Sequence, residues 1–137
     1  MWRDINARVS FAAASALLLS LGCAAPGRSP VSPPGAAEGD ARAVLDRFSA
    51  AVSAGRWDEA YPLLSARWRA SATPSRLASD LAASGTVGRD AVERVRALLA
   101  SGSPVPVDGD VATLPVAGDK AARLVREGGA WRIDALE

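Results

Sequence analysis

Residues 104–137 read PVPVDGDVATLPVAGDKAARLVREGGAWRIDALE, and their rhythm decides the fold class. Apolar and polar residues tend to alternate with a period of two. Tight-turn chemistry cuts the alternation three times, at Asp108-Gly109-Asp110, Gly118-Asp119-Lys120 and Gly128-Gly129. Such runs bounded by Gly and Asp predict short strands joined by hairpins. Four strands are expected, at 104–107, 111–117, 121–127 and 131–137, forming an antiparallel meander. In the last of them Trp131, Ile133 and Ala135 share one face, and Arg132, Asp134 and Leu136 the other. Pro104, Pro106 and Pro115 carry no N–H for a ladder, which puts the first strand at an edge and Pro115 at a bulge or rim.

Upstream of this stretch the apolar period is helical. From 40 to 55, Val44, Leu45, Phe48, Ala51 and Val52 fall on one face, with Asp40 placed as N-cap and Gly55 just past the end. Trp57, Tyr61, Leu64 and Trp68 follow at spacings of four, three and four. They predict a second amphipathic helix that starts just before Pro62, since a proline is tolerated in a first turn. Thr73 and Pro74 form an N-cap and first helical position, with Leu77 and Leu81 pointing inward. From 88 to 102, Val92, Val95 and Leu99 share a face, Asp90 and Arg94 form a solvent pair, and Gly102 ends the helix. Three to four helices followed by a four-stranded meander predict an α+β domain over 40–137, with the helices covering one face of the sheet.

Composition removes many chemistries. The 137 residues contain no histidine and one cysteine. Ser-His-Asp and Cys-His nucleophile systems, imidazole bases and most zinc or haem sites are therefore excluded, as is an internal disulfide. No catalytic residue, no metal ligand set and no cofactor is assigned from the sequence. The chain carries 16 basic and 15 acidic residues. Removing residues 1–22 takes away Arg3, Arg8 and Asp4 and leaves 14 of each sign. A chain this close to neutrality lacks the basic footprint of a nucleic-acid binder. Every basic residue but Lys120 is arginine, and alanine is abundant, which reads as coding bias of a GC-rich bacterium.

The N-terminus reads as an address. Arg3, Arg8 and the α-amine outweigh Asp4, and the apolar run VSFAAASALLLSL occupies 9–21. Thirteen residues fall short of the roughly 20 that span a bilayer, but suit the apolar region of an export signal. Ser20-Leu21-Gly22-Cys23 then resembles the lipobox of bacterial lipoprotein precursors, with Ser20 where that family usually has leucine. The resemblance implies a diacylglyceryl thioether on Cys23, cleavage between Gly22 and Cys23, and anchorage of the exported chain in a bilayer. In a Gram-negative host this is the periplasmic side of the outer membrane. Ordinary secretion, with cleavage after Ala24, is the alternative. Residues 23–39, rich in Pro, Gly and Ser, are expected to form a flexible tether reaching up to about 50 Å as polyproline II.

The folded part carries a second resemblance. A long first helix, then AGRWDEAYPLLS, then the closing hairpin RLVREGGAWRID resembles the NTF2-like (cystatin-like) α+β superfamily over 40–137. That resemblance implies helices and a curved sheet enclosing a pocket, used by some members for proton transfer with Asp or Tyr and by others only for binding. Carried onto this chain, it makes Trp57, Tyr61, Trp68 and Trp131 the pocket candidates, with Asp134 or Arg123 as polar partners. Read from the residues alone, the same aromatic stripe is core, and Asp46, Asp58 and Asp134 are solvated or capping. Three functions follow. The first is an anchored, non-catalytic domain that binds a small ligand or an envelope protein; the others are a structural or assembly lipoprotein and an NTF2-like enzyme using Asp or Tyr. The first is the favoured expectation.

Overall fold

The computed structural model describes residues 34–136; Gly22, Cys23 and the expected export signal at 1–22 lie outside them. Five α-helices come first: α1 (Pro34–Ser53), α2 (Trp57–Ala60), α3 (Ala66–Ser71), α4 (Pro74–Ala83) and α5 (Thr86–Ala100). Four strands follow: β1 (Val107–Asp108), β2 (Val111–Ala117), β3 (Lys120–Glu127) and β4 (Ala130–Leu136). They pair antiparallel in the order β1-β2-β3-β4, the expected meander. The architecture is α+β, with helices packed on a four-stranded sheet.

The core lies between α1, α5 and the inner face of the sheet. Helix α1 contributes Val44, Leu45, Phe48, Ala51 and Val52, and α5 contributes Val92, Val95 and Leu99, all buried. The sheet presents Ala112, Leu114, Ala122, Leu124, Trp131 and Ile133 to them. These are the stripes expected from helical and strand spacing. Gly55 and Gly102 close α1 and α5 with φ of 69° and 79°, a backbone region open to glycine. Thr73 caps α4 as expected, its hydroxyl accepting from the Arg76 N–H at 3.2 Å.

Five local expectations are corrected. Helix α1 begins at Pro34, so Asp40 is an exposed helical residue and the last six residues assigned to the tether are helical. Tertiary contacts account for this: Ala37 is buried, and the Glu38 carboxylate accepts the Val105 N–H at 2.9 Å. The Arg42 guanidinium also donates to the Leu99 and Ser103 carbonyls at the end of α5.

The second helix is not continuous. A 3-10 turn at Tyr61–Leu63 follows α2, and the chain then extends at Leu64 and Ser65 before α3. There Leu64 bridges to Ile133, and the Ser65 N–H donates to the Ile133 carbonyl at 2.8 Å. A strand contact replaces helical bonds, so the stripe from Trp57 to Trp68 spans two short helices.

The first strand shrinks to Val107–Asp108. Val105 is fully buried but bonds Glu38, and Pro106 offers only its carbonyl, which accepts from the Thr113 N–H at 3.0 Å. In β4 the register shifts, with Ile133 opposite Leu124 and Ala135 opposite Arg123, so Asp134 is an extra residue. This bulge inverts the alternation beyond it. Leu136, opposite buried Ala122, packs on the core, and Ala135 loses its expected inward face. A second bulge lies beside Pro115, where one was expected. The expected Asp90–Arg94 pair is absent among the described residues; Arg96 pairs with Glu93 at 3.2 Å instead.

Candidate apolar binding cleft

The short helices α2 and α3, with α4, leave part of the apolar surface beside the core uncovered. The space between them is a cleft of about 230 Å3. Its floor is Phe48 and Val52 of α1 with Ile133 of β4; its sides are Leu77 and Leu81 of α4, Val92 of α5 and Leu64. Trp57 and Trp68 flank it, Trp68 with 38% of its surface exposed. Asp80 and Ser84 are the polar residues on its walls, and the Asp80 carboxylate is engaged by the Arg76 guanidinium at 2.9 Å. A second hollow, of about 440 Å3, adjoins it along Val52, Trp57, Leu81 and Val92 and adds Ser53, Arg89 and Glu93.

Of the four expected pocket aromatics, Trp57 and Trp68 line this cleft, and Tyr61 and Trp131 do not. Tyr61 packs beside the core, and its hydroxyl sits 2.9 Å from the Arg69 carbonyl and 3.0 Å from that of Ala72, tying down the end of α3. Trp131 is 3% exposed and lies on the sheet beneath Arg126, whose guanidinium carbon is 4.9 Å from the ring centroid. That arrangement is a cation–π contact closing the core. The residues missed by sequence reasoning, Leu64, Leu77 and Val92 among them, carry no signal that separates a cleft wall from ordinary core.

Asp134 corrects another expectation, since it is neither solvated nor a helix cap. It has 6% of its surface exposed, buried at the β4 bulge on the face of the sheet that carries Arg123. One carboxylate oxygen accepts from Ser65 Oγ at 2.9 Å and Arg67 Nε at 3.1 Å; the other accepts from Arg123 at 2.6 Å. Its backbone carbonyl accepts from Trp68 Nε1 at 2.6 Å and from Arg67. Burial pushes the carboxyl up, but the hydrogen bonds from Arg123, Arg67 and Ser65 outweigh it and hold the pKa below the usual aspartate range. A carboxylate kept ionised in this way is a poor proton acceptor. Its work is mechanical: it fixes α3, and with it Trp68, against β3 and β4.

No cluster of three or more His, Cys, Asp or Glu able to hold a metal ion occurs among the described residues. Asp108-Gly109-Asp110 is the expected hairpin turn, with Gly109 at φ 58° and the Asp110 carbonyl accepting from the Arg126 N–H at 2.8 Å. No described helix is long and apolar enough to cross a membrane. In comparisons with known proteins, the chain matches no family model, no curated protein and no solved structure.

Proposed function

We propose that the chain is an exported envelope lipoprotein, held to a bilayer through an acylated Cys23, whose domain binds a small apolar ligand without catalysis. The observation that carries the binding reading is the cleft flanked by Trp57 and Trp68, apolar on its floor and sides. Small-molecule sites are concave and mostly apolar, with few polar groups. Binding is favoured over acid–base chemistry because the candidate groups are already committed: Asp80 to Arg76, the Tyr61 hydroxyl to backbone carbonyls, and Asp134 to two arginines. We read the fold as a reduced NTF2-like variant, supported by helices first, an antiparallel meander and two sheet bulges.

The anchor reading is supported by the positive start, the thirteen-residue apolar run and Gly22 before Cys23. Since α1 begins at Pro34, ten residues separate Cys23 from the fold. Fully extended they reach about 35 Å, so the cleft works close to the head groups. Two acyl chains make such anchoring stable where one does not.

The neutral fluorophore N-phenyl-1-naphthylamine tests the cleft. It is expected to bind saturably at one per chain, and Leu81→Trp, which fills the cleft, should weaken it at least ~10-fold with far-UV circular dichroism unchanged. Lack of binding by the unsubstituted chain overturns the reading. For the anchor, intact mass of membrane-extracted protein should show an N-terminus at Cys23 carrying acyl mass, absent from Cys23→Ser. An unmodified chain starting at Ala25 contradicts it.

A further inference from the structure

Taking the cleft as a binding site, we propose that its ligand is an amphipathic monocarboxylate, with an aliphatic tail between Trp57 and Leu77 and its head on Arg89. Size gives the first reason. At about 230 Å3 the apolar chamber is smaller than the roughly 300–1,000 Å3 of ordinary ligand sites, so it holds a chain fragment rather than a whole molecule. The adjoining hollow of about 440 Å3, reached along the shared wall of Val52, Trp57, Leu81 and Val92, has room for the rest of the ligand.

Charge gives the second. Three ionisable residues line the two hollows. Asp80 is paired with Arg76, and Glu93 is paired with Arg96 and accepts from Ser53 Oγ at 3.1 Å. Arg89, exposed on the first turn of α5, makes no ion pair among the described residues. One uncommitted guanidinium at the mouth of an apolar chamber suits an anionic head, and its planar fork suits a carboxylate. The Glu93 carboxylate on the same wall disfavours a doubly charged head.

Calorimetric titration of the full chain with sodium octanoate and with 1-octanol tests this. Octanoate is expected to bind about 10-fold more tightly than octanol at low salt, a preference that shrinks as salt is raised. Arg89→Gln should remove the preference and leave octanol affinity unchanged; Arg89 is exposed, and unchanged circular dichroism checks its folding. Equal affinities for the two probes, or a preference that survives in Arg89→Gln, overturn the assignment of the head to Arg89 while leaving the cleft as a site. Binding of neither probe removes the cleft reading itself.

Discussion

Leu124→Ala is expected to destabilise the domain by about 3 kcal/mol, within the 2–5 kcal/mol range for deleting a fully buried leucine. Leu124 sits on the central strand β3, with no exposed surface, opposite Ala112 on β2 and Ile133 on β4. Both strand neighbours constrain the backbone, so the cavity has little means of collapsing. A domain of this size is stable by only about 5–15 kcal/mol, and a loss of ~3 kcal/mol should lower the melting temperature by more than ~10 °C. Val87, with 70% of its surface exposed on α5, supplies the contrast: Val87→Ala should change stability by less than about 0.5 kcal/mol. Urea unfolding of the two variants checks both values, and a Leu124→Ala effect below ~1 kcal/mol contradicts the assigned core.

Asp134→Asn should be the second most damaging change, costing about 2 kcal/mol at neutral pH. Removing the charge leaves Arg67 and Arg123 without their carboxylate. The usual 3–5 kcal/mol for breaking a buried pair is discounted because both arginine side chains are more than half exposed. The pH dependence is diagnostic. The folded-state pKa of Asp134 lies below its unfolded value, because hydrogen bonds from Arg123, Arg67 and Ser65 outweigh the opposing effect of burial. The unfolded chain therefore takes up this proton first as pH falls. The contribution is complete above about pH 4 and is lost as pH drops through the folded pKa. Below about pH 4 wild type should lose stability more steeply than Asp134→Asn. Parallel pH profiles of unfolding free energy would contradict this role.

The core stripes and the meander were legible because they depend on local period and turn chemistry. The bounds of β2, the Thr73 cap and the buried face Val92–Val95–Leu99 follow from such signals. What was not legible depends on partners far away in sequence. Leu64 and Ser65 leave helical geometry because Ile133 offers a strand contact, and nothing near Leu64 announces it. Pro34 to Gly39 have the composition of a tether, yet Ala37 and Glu38 find the core and Val105.

The β4 bulge is the most consequential omission. A strict period of two puts Asp134 and Leu136 on the outer face; the extra residue brings Leu136 to the core, while Asp134 stays beside outward-facing Arg123 and is buried by Ser65 and Arg67. The same dependence explains the divided aromatic set. Trp57 on α2 and Trp68 on α3 border the cleft between these separate helices, whereas Trp131 and Tyr61 complete contacts with neighbouring residues.

Methyl-resolved NMR of the leucine- and valine-labelled chain, titrated with 1-octanol, tests the central claim most directly. The cleft predicts saturable shifts of the Val52, Leu64, Leu77, Leu81 and Val92 methyls, with Leu114 and Leu124 of the sheet core unmoved. Shifts absent from the cleft, or centred on exposed Val111 on β2, would contradict it.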